Sequence, residues 1–155
     1  MERTLLLIKP NVVEKGGIGA VISALEEKGL VIRDMKMETL SRERAQEFYS
    51  IHRGKPFFDA LIKFMTSGPI VEMVLERENC MAFVRTVIGS TDPAEAGEGT
   101  IRKRFGESVT RNAVHASDSR ETAEREIAFL FGGGAPNYAE HDSGTPARVS
   151  APNKT

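Results

Sequence analysis

The chain has 155 residues, 21 basic and 22 acidic side chains, a formal net charge of -1, and 40% apolar residues. That is enough chain for one domain with a sizeable core, and the near-even charge gives no electrostatic reason to expect broad nucleic-acid or membrane binding. A single cysteine, Cys80, excludes an internal disulfide and argues weakly for a reducing compartment, and the three histidines lie too far apart for structural zinc spacing.

The first apolar run, Thr4 to Ile8, stops at Lys9-Pro10-Asn11 and predicts a strand buried on both faces. It is too short for a signal-peptide core or a membrane span, so the expected location is the cytoplasm. Ile18, Val21, Ile22 and Leu25 recur at helical spacing, and Gly29 ends that helix. Residues 30–40 alternate Ile32, Asp34, Lys36 and Glu38 against Val31, Met35 and Met37, as a half-exposed strand does. Ser41 is a good N-cap for a short helix reaching about Ser50.

A further helix opens at Lys55-Pro56-Phe57-Phe58, buries Phe58, Leu61, Ile62 and Met65, and closes at Ser67-Gly68-Pro69. Residues 69–76 predict the third strand, and 79–88 a helix stopped by Gly89. Residues 90–113 read as one long irregular segment, of the kind that in compact domains is functional or disordered. Ala113 to Ala116 is a short strand, and Asp118 or Ser119 caps a last helix with Ala123, Ile127, Leu130 and Phe131 inward. Alternating strands and helices place the chain in the α/β or α+β class. One domain is expected over residues 1–131. Residues 132–155, rich in Gly, Pro, Ala, Ser and Thr, are expected to form an extended or mobile tail.

Neither common glycine-rich phosphate cradle is present: there is no G-x-x-x-x-G-K-[ST], and Gly97 to Arg102 puts arginine where G-x-G-x-x-G needs its last glycine. What remains is a scattered set of phosphate-suited groups, Lys9, Arg85 and Arg102, with Thr91 and Asn112 near them in sequence. His115 offers an imidazole, which can act as a nucleophile. Glu126, eleven positions on in the last helix, could fold back onto one ring nitrogen and stabilise the charge formed when the other attacks phosphorus. Each residue alone has a plainer reading, as core, cap or solvated charge.

Taken together, several blocks resemble the nucleoside diphosphate kinase family: TLLLIKP at Thr4, FYSIHRGKPFF at Phe48, SGPIVEMVLE at Ser67, RTVIGSTDPAEAGEGTIRKRF at Arg85, and RNAVHASDS at Arg111. The match runs from about Arg3 to Phe131, and its most specific part is N-x-x-H-[GA]-S-D, Asn112 to Asp118. The resemblance implies a ferredoxin-like domain with a four-stranded antiparallel sheet covered by helices. It implies transfer of a γ-phosphate from a nucleoside triphosphate to a nucleoside diphosphate by a ping-pong route through phosphorylated His115. Arg85, Thr91 and Arg102 would hold phosphates, and Lys9 and Asn112 the sugar hydroxyls. Lys9 would also lie near the moving phosphoryl, with Tyr49 against both. Phe57 would stack on the base and Val109 cover its other face. Glu126, bonded to Ser117, would orient the imidazole.

Mg2+ would bridge the nucleotide phosphates, with no metal ligands from the protein. The family is built from dimers that form tetramers or hexamers, and Pro93 lies in the loop its members use at trimer contacts, which slightly favours a hexamer. Two departures stand out. The family usually has Asp where this chain has Asn11, and glycine where it has Ala116; a positive φ at 116 would cost roughly 1–2 kcal/mol. His52, His141 and Cys80 are expected to be structural. The alternative reading is a nucleotide-binding regulatory module that transfers nothing. Its expected mark, loss of His115, Lys9 or Arg102, is absent.

Overall fold

The computed structural model describes residues 1–132, so all of the expected tail beyond Gly132, with His141, lies outside the described residues. In chain order the elements are β1 (Glu2–Ile8), α1 (Pro10–Glu14), α2 (Ile18–Glu27), β2 (Val31–Glu38), α3 (Arg42–Phe48), a 3-10 turn (Ser50–His52), α4 (Phe58–Met65), β3 (Ile70–Arg77), α5 (Cys80–Ile88), α6 (Ile101–Phe105), β4 (Val114–Ala116) and α7 (Arg120–Phe131). The strands form one antiparallel sheet in the order β2-β3-β1-β4, the ferredoxin-like arrangement.

β1 lies inside the sheet because its side chains are apolar on both faces. Leu6 and Ile8 join a core with Val21 and Leu25 of α2 and Val84 and Ile88 of α5. Leu5 and Leu7 join a second core with Phe48 of α3, Ile62 and Met65 of α4, and Leu130 of α7. Burying both faces of a central strand fixes its register, since a one-residue slip would exchange the two cores. Cys80 is fully buried, its Sγ donating to the Leu75 carbonyl.

The structure adds two five-residue helices that the sequence reading left out, α1 with Pro10 in its first turn and α6 within the expected irregular segment. α6 is capped by Thr100, whose hydroxyl accepts from the Lys103 amide. Its far end presses on Pro93: a Cβ on Gly106 would fall 2.4 Å from the proline Cγ. Ser119, rather than Asp118, caps α7. Ala116 lies in β4, and the non-glycine residues with positive φ among those described are Asn79 and Ala113, so the strain considered for 116 belongs three positions earlier.

β2 is an edge strand with its apolar side turned outward: Val31, Met35 and Met37 are 41–54% exposed. Its other side is held by charge. Lys36 Nζ contacts Glu38 at 3.0 Å and Glu72 at 3.5 Å, and donates to the Leu130 carbonyl at the end of α7. Glu72 itself is fully buried in β3. Burial and the neighbouring Glu38 carboxyl push its pKa up to about 8, which Lys36 only partly offsets. A raised carboxyl pKa means the folded chain keeps a proton that the unfolded chain sheds. Stability is therefore full in acid, below the unfolded carboxyl range, and is lost as pH rises from that range through about 8. The urea midpoint should fall between pH 5 and pH 9, and Glu72→Gln should flatten that fall; an unchanged slope in the variant would remove Glu72 as its source.

Candidate active site

The three residues of β4 pair with β1, placing His115 opposite Leu7. Just before it, Ala113 adopts φ 75, and the Val114 amide bonds back to the Asn112 carbonyl at 3.0 Å, closing a γ-turn. Such a conformation costs of order 1–3 kcal/mol for a residue with a Cβ, and it persists only where its surroundings impose it. Here the Ala113 carbonyl accepts the Lys9 amide at 2.9 Å, so the turn is tied to the end of β1.

α7 runs back across the sheet and brings Glu126, which is buried, onto the imidazole. Its carboxylate oxygens lie 2.9 and 3.1 Å from His115 Nε2. Ser117 Oγ donates to the same carboxylate at 2.7 Å. A carboxylate accepts only, so Nε2 carries the proton and donates. Nδ1 then keeps a free lone pair. Phe48 and Tyr49 meet the ring edge-on, with centroids at 5.2 and 5.7 Å.

Around the ring lies a cleft of about 820 Å3. The structure brings into it Lys9, Tyr49, Phe57, Arg85, Thr91, Arg102, Val109, Asn112 and His115, while Ser117 and Glu126 stand behind the imidazole. Lys9 is 95% buried and donates from Nζ to the Thr110 carbonyl at 3.2 Å. Burial, and then the charge of Arg102, lower its pKa to about 7. Arg102 is anchored by carbonyls alone, Gly89 through Nη1 and Val114 through Nη2, both at 3.0 Å. Burial and the nearby Arg85 bring it down to about 10. Asn112 donates from Nδ2 to the Thr91 carbonyl at 3.0 Å. Phe57 and Val109 are exposed at the mouth.

Three cleft residues carry buried polar atoms with no partner in the protein: the Tyr49 hydroxyl, Arg102 Nε and Asn112 Oδ1. Buried polar groups are rarely left so unless something else completes them. Burial and the Glu126 charge both hold the Tyr49 hydroxyl in its neutral form. The cleft is thus a cationic pocket with two unpartnered donors, the Tyr49 hydroxyl and Arg102 Nε, and one unpartnered acceptor, Asn112 Oδ1, suited to a polyanionic ligand that also carries hydroxyls. Asp118 is the one carboxylate among its lining residues. Among the described residues no group of three or more His, Cys, Asp or Glu could hold a metal ion.

Among the cleft residues that the sequence reading did not assign to the site are His52 and Asp118, both titratable. His52, expected to be structural, lines the wall, stacked on Tyr49 at 6.3 Å and edge-on to Phe57 at 5.3 Å. Its spacing from Tyr49 and Phe57 was the available signal. Asp118, expected as a helix cap, faces the cleft instead.

Comparison with known proteins gives a consistent result. The family model described as nucleoside diphosphate kinase matches residues 2–135. The nucleoside diphosphate kinase of Staphylothermus marinus is 57% identical over 84% of this chain and 92% of its own. That of Archaeoglobus fulgidus is 54% identical over 84% and 87%. Among solved structures, the Aquifex aeolicus nucleoside diphosphate kinase is similar with a TM-score of 0.83 at 45% identity, covering 85% of this chain and 96% of that one. The halophilic nucleoside diphosphate kinase from Halobacterium salinarum, solved in complex with CDP, has a TM-score of 0.81 at 42% identity and covers 84% and 87%.

Lys9 provides a direct test of the pocket's electrostatics. In the empty cleft it is only partly charged near neutral pH, and an anion beside it stabilises its protonated form. Binding of sulfate, which does not titrate in this range, should therefore take up protons between pH 7 and 8 and weaken as pH rises. Calorimetry in buffers of different ionisation enthalpy should show this uptake, and Lys9→Arg should abolish it; uptake unchanged in the variant would assign it elsewhere.

Proposed function

This chain belongs to the nucleoside diphosphate kinase family, and we propose that it carries the transferred phosphoryl on Nδ1 of His115. The observation that supports this most directly is the Glu126 carboxylate on Nε2, which leaves Nδ1 as the free nitrogen of a ring that lines the same cleft as Lys9, Arg85 and Arg102. In the first half-reaction Nδ1 attacks the γ-phosphorus of a nucleoside triphosphate. The N–P bond forms as the bond to the β,γ-bridging oxygen breaks, and that oxygen leaves with the electron pair on the diphosphate. The ring gains positive charge, balanced by Glu126 2.9 Å away. In the second half-reaction a terminal oxygen of another diphosphate attacks phosphorus, the N–P bond breaks, and the neutral ring returns. No proton has to leave the histidine in either step.

The remaining residues supply position and charge. Arg85, Thr91 and Arg102 hold phosphates; Lys9 and Asn112 hold the sugar, with Lys9 also beside the moving group. Tyr49 adds a neutral hydroxyl donor. Phe57 and Val109 enclose the base through apolar contact, which accepts all common bases. The scarcity of acidic groups in the cleft fits Mg2+ arriving on the nucleotide phosphates, where it offsets their charge, rather than as a resident of the protein.

We further propose a homo-oligomer built from dimers. The exposed Val31, Met35 and Met37 on an edge strand are an apolar surface that a second copy could cover. Tetramer and hexamer are both compatible with it; the loop containing Pro93 favours the hexamer. The free, buried Cys80 fits a reducing cytoplasm, and among the described residues no helix is long and apolar enough to cross a membrane.

Incubation with γ-labelled ATP should give an acid-labile, alkali-stable label that CDP discharges, and His115→Ala should give none. Glu126→Gln should slow labelling about 100-fold or more. Nucleotide binding without label in the native chain would favour the non-transferring module. Met35→Glu with Met37→Glu should lower the sedimentation coefficient; an unchanged value would exclude this strand from the interface.

A further inference from the structure

We propose that Arg111 is a positioning residue for the base of the nucleotide, holding the loop that carries Val109 against the face of α4 that Phe57 begins. Phe57 is the N-cap of α4, and its backbone is already helical, with φ -86 and ψ -6. Leu61 and Phe64 follow it at helical spacing, so the three side chains share one face of the helix. Phe57 and Leu61 line the cleft. Phe64 is further along the same face, buried and outside the cleft lining. There the Arg111 guanidinium lies over it, with Cζ 4.9 Å from the ring centroid. Arg111 ends the loop from which Val109 and Thr110 reach the cleft. That loop is closed on itself: the Glu107 amide donates to the Arg111 carbonyl at 2.8 Å, and the Arg111 amide donates to Ser108 Oγ at 3.0 Å. The helix bearing Phe57 and the loop bearing Val109 are thus joined through the contact of Arg111 with Phe64.

Arginine suits this place because a guanidinium is flat and its N–H donors lie in its plane. Its face can rest on an aromatic ring while its edge meets carboxylates. Both occur here. Nε lies 3.5 Å from Glu107 on the same loop, and Nη2 lies 3.9 Å from Glu14 at the end of α1. Glu107 is also met by Lys15, at 3.4 Å, so that carboxylate is held by two cations. These pairs are partly exposed, and such pairs add little stability of their own. What they fix is the plane of the guanidinium, and with it the surface turned to Phe64. Arg111 does not act on the ligand directly: it is absent from the cleft lining, and Glu14 and Glu107 already share its charge. It acts on the spacing of Phe57 and Val109, and so on the base, the part of the nucleotide that the cations of the cleft do not hold.

The inference rests on the reading of Phe57 and Val109 as the two sides of a base slot, and its test separates the two. The acceptors compared are CDP and ribose 5-diphosphate, the same sugar and phosphates without the base, both at saturating ATP. The slot touches the base before and during transfer alike, so loosening it should raise KM and spare kcat. Arg111→Gln should raise KM for CDP about threefold, leave KM for ribose 5-diphosphate unchanged, and hold kcat within about twofold for both. Phe64→Leu, which removes the ring and keeps the helix face apolar, should do the same. The double variant should be no worse than either single one, because all three lose one contact. Additive losses, equal losses with the two acceptors, or native KM in both single variants would overturn the proposal. So would failure of both to fold at the assay temperature, since the pair would then be structural. In the native chain KM should be lower for CDP than for ribose 5-diphosphate. Equal values there would sink the base slot and the inference with it, whereas a native preference for CDP that both variants keep in full would sink the role of Arg111 alone.

Discussion

The chemistry of this site depends on one hydrogen bond, from Nε2 of His115 to a carboxylate that is itself buried and held by Ser117. That bond decides three things together: which nitrogen bears the proton, which way the ring is turned, and where the opposing charge waits when the ring becomes cationic. A buried carboxylate is costly unless its oxygens are engaged, and Glu126 is engaged by both partners. Phe48 and Tyr49, edge-on to the ring, leave it little room to turn away.

The cations around the ring are arranged on a different principle. Among the described residues, no carboxylate forms an ion pair with Lys9 or Arg102. Lys9 and Arg102 are fixed by backbone carbonyls of Thr110, Gly89 and Val114, which orient the charge without cancelling it. The attraction left over is available to phosphate oxygens. Its cost is visible in the lowered proton affinity of both groups. The strained Ala113 turn belongs to the same design, since it ties the end of β1 to the segment carrying Asn112 and His115.

Much of this was legible in the sequence, and the reasons differ by element. β1, α2 and the helix ending at Gly89 have clear periodicity and clear stops. α1 and α6 have five residues each, too few for a period to register, and they are held by caps and tertiary contacts instead. The outward face of β2 could not be assigned, because alternation alone does not say which side a sheet buries; in the structure the inward side is the one on which Lys36 meets Glu38, Glu72 and the end of α7. Lys9, Arg85, Thr91, Arg102, Asn112, His115 and Glu126 were singled out by their side-chain chemistry, but their meeting in one site, and Tyr49, Phe57 and Val109 with them, came from family resemblance, because they lie on segments up to more than a hundred positions apart. Position 116 was singled out for strain because its usual residue is glycine, yet the positive φ is at 113. His52 was set aside for want of a motif, although its ring lies between two aromatic neighbours in the cleft wall.

α7 is the last described helix, it supplies the carboxylate behind the imidazole, and its Leu130 carbonyl is gripped by Lys36 from the edge strand. Folded proteins open locally before they unfold as a whole. An opening confined to this one helix would take the counter-charge from the imidazole while the sheet beneath still stood. Turnover would then be lost with a single helix rather than with the domain.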